Sequence, residues 1–234
     1  MVYRKIPALI LSITLVGCAS NDNAPSFKQL PDVAYTAPAN APAPARIINV
    51  EGNVSETVST VIESLNGPRF GITHIDRQGG IVTARFKADP DDFLDCGELV
   101  LMSSQGESRT VPAAARNLSY EVPIKQKTRI GSINRRLDLD GRLIIQVAEA
   151  TAGRSDIKVS GDYVLTRRAA LRGTSQQTLA DETQYLAFGS GQAVGFGTGR
   201  NSTICQSNGQ LEEQALLQDN FGVVSTFADD TVAD

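Results

Sequence analysis

The residues whose types could do chemistry in this chain are few: three cysteines, one histidine, a run of aspartates, a run of glycines and four paired arginines. Cys18, Cys96 and Cys205 are far apart, none has a second cysteine at the x2 spacing that zinc sites use, and His74 is distant in sequence. No metal ligand is assigned. As a general base His74 would need a nucleophile and an orienting acid, and no G-x-S-x-G elbow supplies the first. Its place in a strand beginning at Arg69, with Phe70 and Ile72 on its own face, reads as a structural or edge-strand position. Asp89, Asp91, Asp92 and Asp95 crowd together but lack the alternating acids and the glycine of a calcium loop, so they read as a solvated turn. Gly189, Gly191, Gly195, Gly197 and Gly199 leave three residues, not two, between the second and third glycine, and no strand-then-helix unit brackets them. A mobile loop or irregular edge strand is the better account, and no cofactor is assigned. Arg135, Arg136, Arg167 and Arg168 lie at the far ends of two strands that should pair. They would form either a small basic patch for anionic head groups or sugars, or ordinary cross-strand charge pairs. No residue is assigned a catalytic role.

The elements that must position these residues are announced by pattern. Asn53 followed by Glu56 resembles a capping box, and Val54, Val58, Val61, Ile62 and Leu65 recur at helical spacing before Gly67-Pro68. This predicts one amphipathic helix over 54–66. Two short strands, 69–76 and 81–88, flank Arg77-Gln78-Gly79-Gly80, where the glycines permit a tight hairpin. A third strand is expected over 99–102, while 103–134 shows only weak alternation. The strongest pair follows: Leu137, Leu139, Leu143, Ile145 and Val147 on one face, then Ile157, Val159, Tyr163 and Leu165 on its partner, with 151–156 turning between them. Two long alternating strands imply an antiparallel sheet with one wet side. The expected class is therefore α+β: an antiparallel sheet of about five to seven strands, one long amphipathic helix packed on it, and a short C-terminal helix over 211–217.

The remaining cysteine chemistry depends on the N-terminus. Arg4 and Lys5 precede an uncharged run from Ile6 to Val16, which is too short for a ~30 Å hydrocarbon core and ends at Gly17-Cys18. This order of charge, apolar run and small residue is that of an export signal. Leu15-Val16-Gly17-Cys18 resembles the lipobox of bacterial lipoprotein signal peptides. The resemblance implies diacylglycerol on the Cys18 sulfur, cleavage before it and acylation of its new amino group, which makes Cys18 the lipidation site and the membrane a partner. With Cys18 so used, Cys96 and Cys205 are an even pair in an exported domain, and a disulfide between them is expected.

Four regions result: a signal peptide (1–17), a lipidated start with a Pro/Ala-rich linker (18–46), a globular domain (47–220) and an acidic tail (221–234). Removing the signal leaves 20 basic residues against 26 acidic, a formal charge of −6. This disfavours nucleic acid, whose binding draws on clustered Lys and Arg. Ala19 stands where, in the enterobacterial rule of the resembled family, aspartate would retain a lipoprotein at the inner membrane, so the periplasmic face of the outer membrane is the expected address. The expected function is a non-catalytic binding or assembly module with an envelope protein partner. The alternative is an envelope hydrolase or a small-ligand or lipid carrier using a pocket between helix and sheet.

Overall fold

The computed structural model describes residues 27, 33–103, 105–124, 129–196 and 203–216. In chain order these form β1 (Ala34–Thr36), β2 (Arg46–Glu51), α1 (Val54–Ser64), β3 (Phe70–Asp76), β4 (Ile81–Ala88), α2 (Pro90–Phe93), β5 (Leu94–Asp95), β6 (Glu98–Met102) and β7 (Ser108–Pro112). Then come β8 (Asn117–Ile124), β9 (Arg129–Thr151), β10 (Arg154–Arg172), β11 (Thr178–Gly189), β12 (Ala193–Phe196), β13 (Thr203–Ser207) and α3 (Gln210–Gln214).

The β9–β10 hairpin is the axis. Its 23- and 19-residue strands turn through Ala152-Gly153, where Gly153 has φ +77°, a left-handed conformation that glycine adopts without a Cβ penalty. Odd-numbered residues from 131 to 147 and from 155 to 171 face inward, and Leu137, Leu143, Ile145, Ile157, Val159 and Leu165 are fully buried. Each long edge is then paired twice. On β9, β4 covers residues 139–146 and β8 covers 129–136. On β10, β2 covers 154–159 and β11 covers 162–172. With β3 beyond β4 this makes an antiparallel seven-stranded sheet, ordered β11-β10-β9-β4-β3 with β2 and β8 alongside. Two three-stranded sheets, β1-β6-β7 and β12-β13-β5, complete the architecture.

Helix α1 starts as its sequence dictates. The Asn53 side chain accepts from the Glu56 amide at 3.0 Å and the Glu56 carboxylate accepts from the Asn53 amide at 3.2 Å, a full capping box. Val58, Val61 and Leu65 are 0–1% exposed, and the helix packs over β4, β9 and β10 on the sheet's inner face. The space between helix and sheet is filled by side chains.

The expected α+β class is nevertheless corrected. Of the described residues 61% are in strands and 12% are helical, and α1 is the one helix of seven residues or more. The protein is mostly β. Eleven helical residues cover only the half of the sheet near the β9–β10 turn, and stretches whose pattern looked irregular or merely polar are strands: Asn117–Ile124, the 129–134 start of β9 and Thr178–Gly189. The short C-terminal helix is present as Gln210–Gln214, begun by Gly209 at φ +81° with no side-chain cap. The signal peptide, Cys18, Leu217 and the 221–234 tail lie outside the described residues.

Part of the stretch read as a linker is laid against the fold. Ala34–Thr36 pairs with β6, and the Tyr35 hydroxyl accepts from the Ile204 amide at 2.9 Å. The Ala43 amide donates to Ser207 at 3.2 Å, and its carbonyl accepts from Gly191 at 2.6 Å. Further upstream, Phe27 packs against Val122, Ile124, Ile133 and Leu171, a second apolar cluster at the far end of the inner face.

Cys96 and Cys205 form a disulfide. It ties the β5–β6 connection to β13, and both residues are buried. Because the bridge closes a loop of sequence separation 109, Cys205→Ser should lower unfolding free energy by about 2–4 kcal/mol. Masses of the intact chain before and after reduction should differ by two hydrogens at this pair. Free thiols at both positions in protein taken from an oxidising compartment would contradict the bridge.

Candidate functional site

Residues singled out by type end up dispersed. His74 does not share a face with Phe70 and Ile72. Strand β3 pairs Ile72 with Ala84, then His74 with Thr83, skipping Thr73. This one-residue bulge reverses the alternation, returning Ile75 to a place opposite Val82 and leaving His74 exposed. Asp89 caps α2, its carboxylate accepting from the Asp91 amide at 3.3 Å. Asp95 accepts from the Gly97 amide at 2.9 Å. The aspartates therefore serve local turns. Burial and the neighbouring charges of Asp89 and Asp92 hold the Asp91 carboxyl above its usual range, with Arg135 opposing. Among the described residues no group of three or more His, Cys, Asp or Glu is placed to hold a metal. Gly189 ends β11, Gly191 turns at φ +78°, and Gly195 sits in β12; Gly197 and Gly199 lie outside the described residues.

One reactive-looking constellation was missed by pattern. Tyr163 and Ser190 each donate to Glu212 Oε1 at 2.6 Å. Ser207 donates to the Tyr163 hydroxyl at 2.9 Å and accepts from the Gly209 amide at 3.1 Å. Glu212 is 0% exposed, and its Oε2 has no partner among the described residues. Burial first, and then the Glu212 charge and hydrogen bond, push the Tyr163 phenol far above its ordinary value, so it stays a donor and cannot serve as a base. Phe86 and Phe188 flank its ring at centroid distances of 5.7 and 5.2 Å. Sealed in this way, the network works as a lock joining β10, β13, α3 and the turn after β11. The available signal was Glu212 lying in the apolar stripe of Leu211, Ala215 and Leu216.

The four arginines do meet, in two layers. Arg135 and Arg167 point inward. Arg135 is 5% exposed and donates to the Ala115 carbonyl at 3.0 Å. Burial, reinforced by the charge of Arg167 and opposed by Tyr120 and Asp91, brings it down to about 10. Arg167 pairs with Glu182 and lies over the rings of Phe196 and Phe27 at 5.6 and 5.9 Å. Arg136 and Arg168 point outward and stand directly opposite in register, an arrangement that would repel by itself. Asp138, two residues along β9 on the same face, neutralises it. Arg136 chelates the Asp138 carboxylate through Nε and Nη2 at 2.9–3.2 Å, and Arg168 Nη1 reaches it at 2.6 Å. Arg116 approaches at 3.8 Å and also stands 3.9 Å from Asp89. Three guanidinium groups, each about half exposed, are thus held around one largely buried carboxylate. Their unshared N–H groups remain open to solvent. Beside them runs a groove of about 570 Å³ across β8, β9, β10 and β11.

Comparison with protein-family models, curated proteins and solved structures finds no match to this chain.

Burial alone would raise the Asp138 carboxyl, but the Arg136 hydrogen bond and the charges of Arg136, Arg168 and Arg116 outweigh it and hold the group below its usual range. A carboxyl depressed in the folded state stabilises above the unfolded value, ~3.9, and that contribution disappears as pH falls through the folded value. Asp138→Asn should therefore cost about 1 kcal/mol near neutral pH, the upper end for exposed pairs. The gap from wild type should close below about pH 4, as read from denaturant midpoints at several pH values. Glu212→Ala, which strands the buried Tyr163 hydroxyl and the half-buried Ser190 hydroxyl, should cost roughly 2–3 kcal/mol with little dependence on salt.

Proposed function

We propose that this chain is a lipoprotein of a bacterial envelope, anchored through Cys18 in the outer membrane, whose β-rich domain faces the periplasm as a non-catalytic binding or assembly module. The observation that supports the binding reading most directly is a contrast in access. The carboxylate–hydroxyl network around Glu212 is closed off, whereas the arginines around Asp138 are arranged on an open face beside a groove. Catalysis needs a nucleophile or base within reach of substrate, and His74 sits on an exposed edge strand facing Thr83. A carrier pocket between helix and sheet finds no support, because Val58, Val61 and Leu65 fill that interface. Recognition asks only for oriented donors, and guanidinium groups already fixed by a carboxylate lose less freedom when a partner arrives. The anchor reading rests on the Leu15-Val16-Gly17-Cys18 lipobox resemblance.

Three variants test this reading in the cell. Cys18→Ser should leave an unprocessed precursor of higher mass, and a variant still lipidated and cleaved at the same place would defeat the anchor. With the anchor intact, the double change Arg136→Glu and Arg168→Glu should abolish the cellular phenotype of the wild-type gene, while His74→Ala leaves it unchanged. Full function in a folded, anchored double variant would remove the arginine face from the mechanism, and loss of function from His74→Ala alone would favour an enzyme.

A further inference from the structure

The groove beside the arginines carries opposite charge on its two sides. One row of outward side chains crosses the strands as Asn117, Arg136 and Arg168, which lie opposite one another in register. Two residues further along, the next row places Ser119 opposite Asn134 and Asp181 opposite Ala170. All of these line the groove. Adjacent rows on one face of a sheet lie about 7 Å apart, so the two sides can be bridged by a ligand only a few atoms long. On the first side the guanidinium groups of Arg116, Arg136 and Arg168 outnumber the carboxylates of Asp138 and Asp89, leaving cation uncompensated. On the second side Asp181 is exposed and, among the described residues, enters no ion pair. Neutral donors and acceptors, Asn117 and the hydrogen-bonded pair of Ser119 and Asn134 at 2.8 Å, lie along the same two rows.

A polyanion would satisfy the arginines and meet Asp181 with repulsion; a cation would do the reverse. The geometry points to a zwitterionic ligand, a phosphate monoester or diester at one end and a primary amine a few atoms away, with the anion on Arg136 and Arg168 and the ammonium on Asp181. Arginine suits the first task because its fork matches two phosphate oxygens at once. Carboxylate suits the second because an ammonium offers three donors to an acceptor that carries the opposite charge. This inference deepens the proposed binding role and rests on the outer face being the one that binds. Phosphoethanolamine is the simplest molecule with this chemistry, and it occurs both free and as a phospholipid head group.

The test uses the full chain in an uncharged detergent, titrated calorimetrically with O-phosphoethanolamine, inorganic phosphate and ethanolamine. O-phosphoethanolamine should bind at least tenfold more tightly than either half. Arg168→Ala should weaken it tenfold or more. Asp181→Asn, a change at an exposed side chain with no ion pair to break, should weaken O-phosphoethanolamine while tightening inorganic phosphate, a reversal that loss of folding cannot imitate. Co-sedimentation with phosphatidylethanolamine vesicles in excess of that with phosphatidylcholine vesicles, which a lipid anchor alone would give equally, would place the ligand in a membrane, and binding of the soluble compound alone would make it a free metabolite; either supports the chemistry. Equal affinity for phosphate and O-phosphoethanolamine, unchanged in Asp181→Asn, would reduce the groove to a plain anion site and overturn the inference. So would absence of binding by all three probes, even where the double arginine variant still loses function in the cell, in which case the binding face stands and the ligand assignment falls.

Discussion

Backbone hydrogen bonding along the β9–β10 hairpin is the constraint on which the rest depends. A buried strand must pair its N–H and C=O groups on both sides, and strands of 23 and 19 residues are longer than any neighbour the chain provides. Each outer edge is therefore satisfied by two shorter strands in succession. This divides the sheet into two halves: one bounded by β4 and β2, the other by β8 and β11. The β9–β10 crossing between them is tight. A Cβ on Gly141 would stand 2.2 Å from the Asp162 carbonyl and 2.6 Å from the Phe86 ring, so no larger residue fits where the two halves meet.

The halves are covered differently, and the difference sets where charge can sit. Over the first, α1 and α3 bury an aliphatic layer centred on Val58, Val61, Leu143, Ile145 and Leu211. Over the second, aliphatic cover is thinner, and the inward positions include Arg135 and Arg167. These are kept by carbonyl, carboxylate and ring contacts, the means by which a long basic side chain is tolerated inside. On the outer side of this same half lie Arg136, Arg168 and Asp138. Because side chains alternate, consecutive arginines go to opposite faces. Two Arg-Arg dipeptides on neighbouring strands thus make one inner pair concerned with packing and one outer pair gathered on Asp138 at the solvent face, the pair on which the proposed binding role rests.

That alternation explains which parts were legible from residues alone. Helix α1, the β3–β4 hairpin and the central stretches of β9 and β10 were readable because their inward positions are uniformly apolar. The outer part of β9 was not, since Arg135 occupies a position where the pattern calls for a hydrophobe. The length of β11 was hidden likewise, because Glu182 and Gln184 stand opposite Ala169 and Arg167 on its inward row. The face of His74 is not legible from spacing because a bulge leaves no local signature here: Thr73, which β3 skips in its pairing, is as ordinary a strand residue as its neighbours. Arg136 and Arg168 could be named in advance as strand-end neighbours. Arg116 and Asp181 could not, because their approach depends on β8 and β11 being the strands that flank the hairpin, a fact of sheet order that no local spacing encodes.

The attachment of the N-terminal stretch bears on how such a face would be presented. Residues 34–43 are fastened to β6, β13 and the turn after β11, and Phe27 is already in contact with the inner cluster of the second half. On the proposed anchoring, only the segment between Cys18 and Phe27 separates lipid from fold, and nine residues span at most about 30 Å. A free 28-residue spacer could instead reach some tens of ångströms further at ~3.1 Å per residue. The Phe27 contact lies behind the strands whose opposite face carries Arg136, Arg168 and Asp181. A tether ending there would hold the groove within reach of the membrane to which the chain is attached, so that a ligand displayed at that surface would meet it at a raised local concentration. On that proposal the same short leash would work against partners far across the compartment, so that the docking of Phe27, more than the number of prolines, would set the range over which this domain could search.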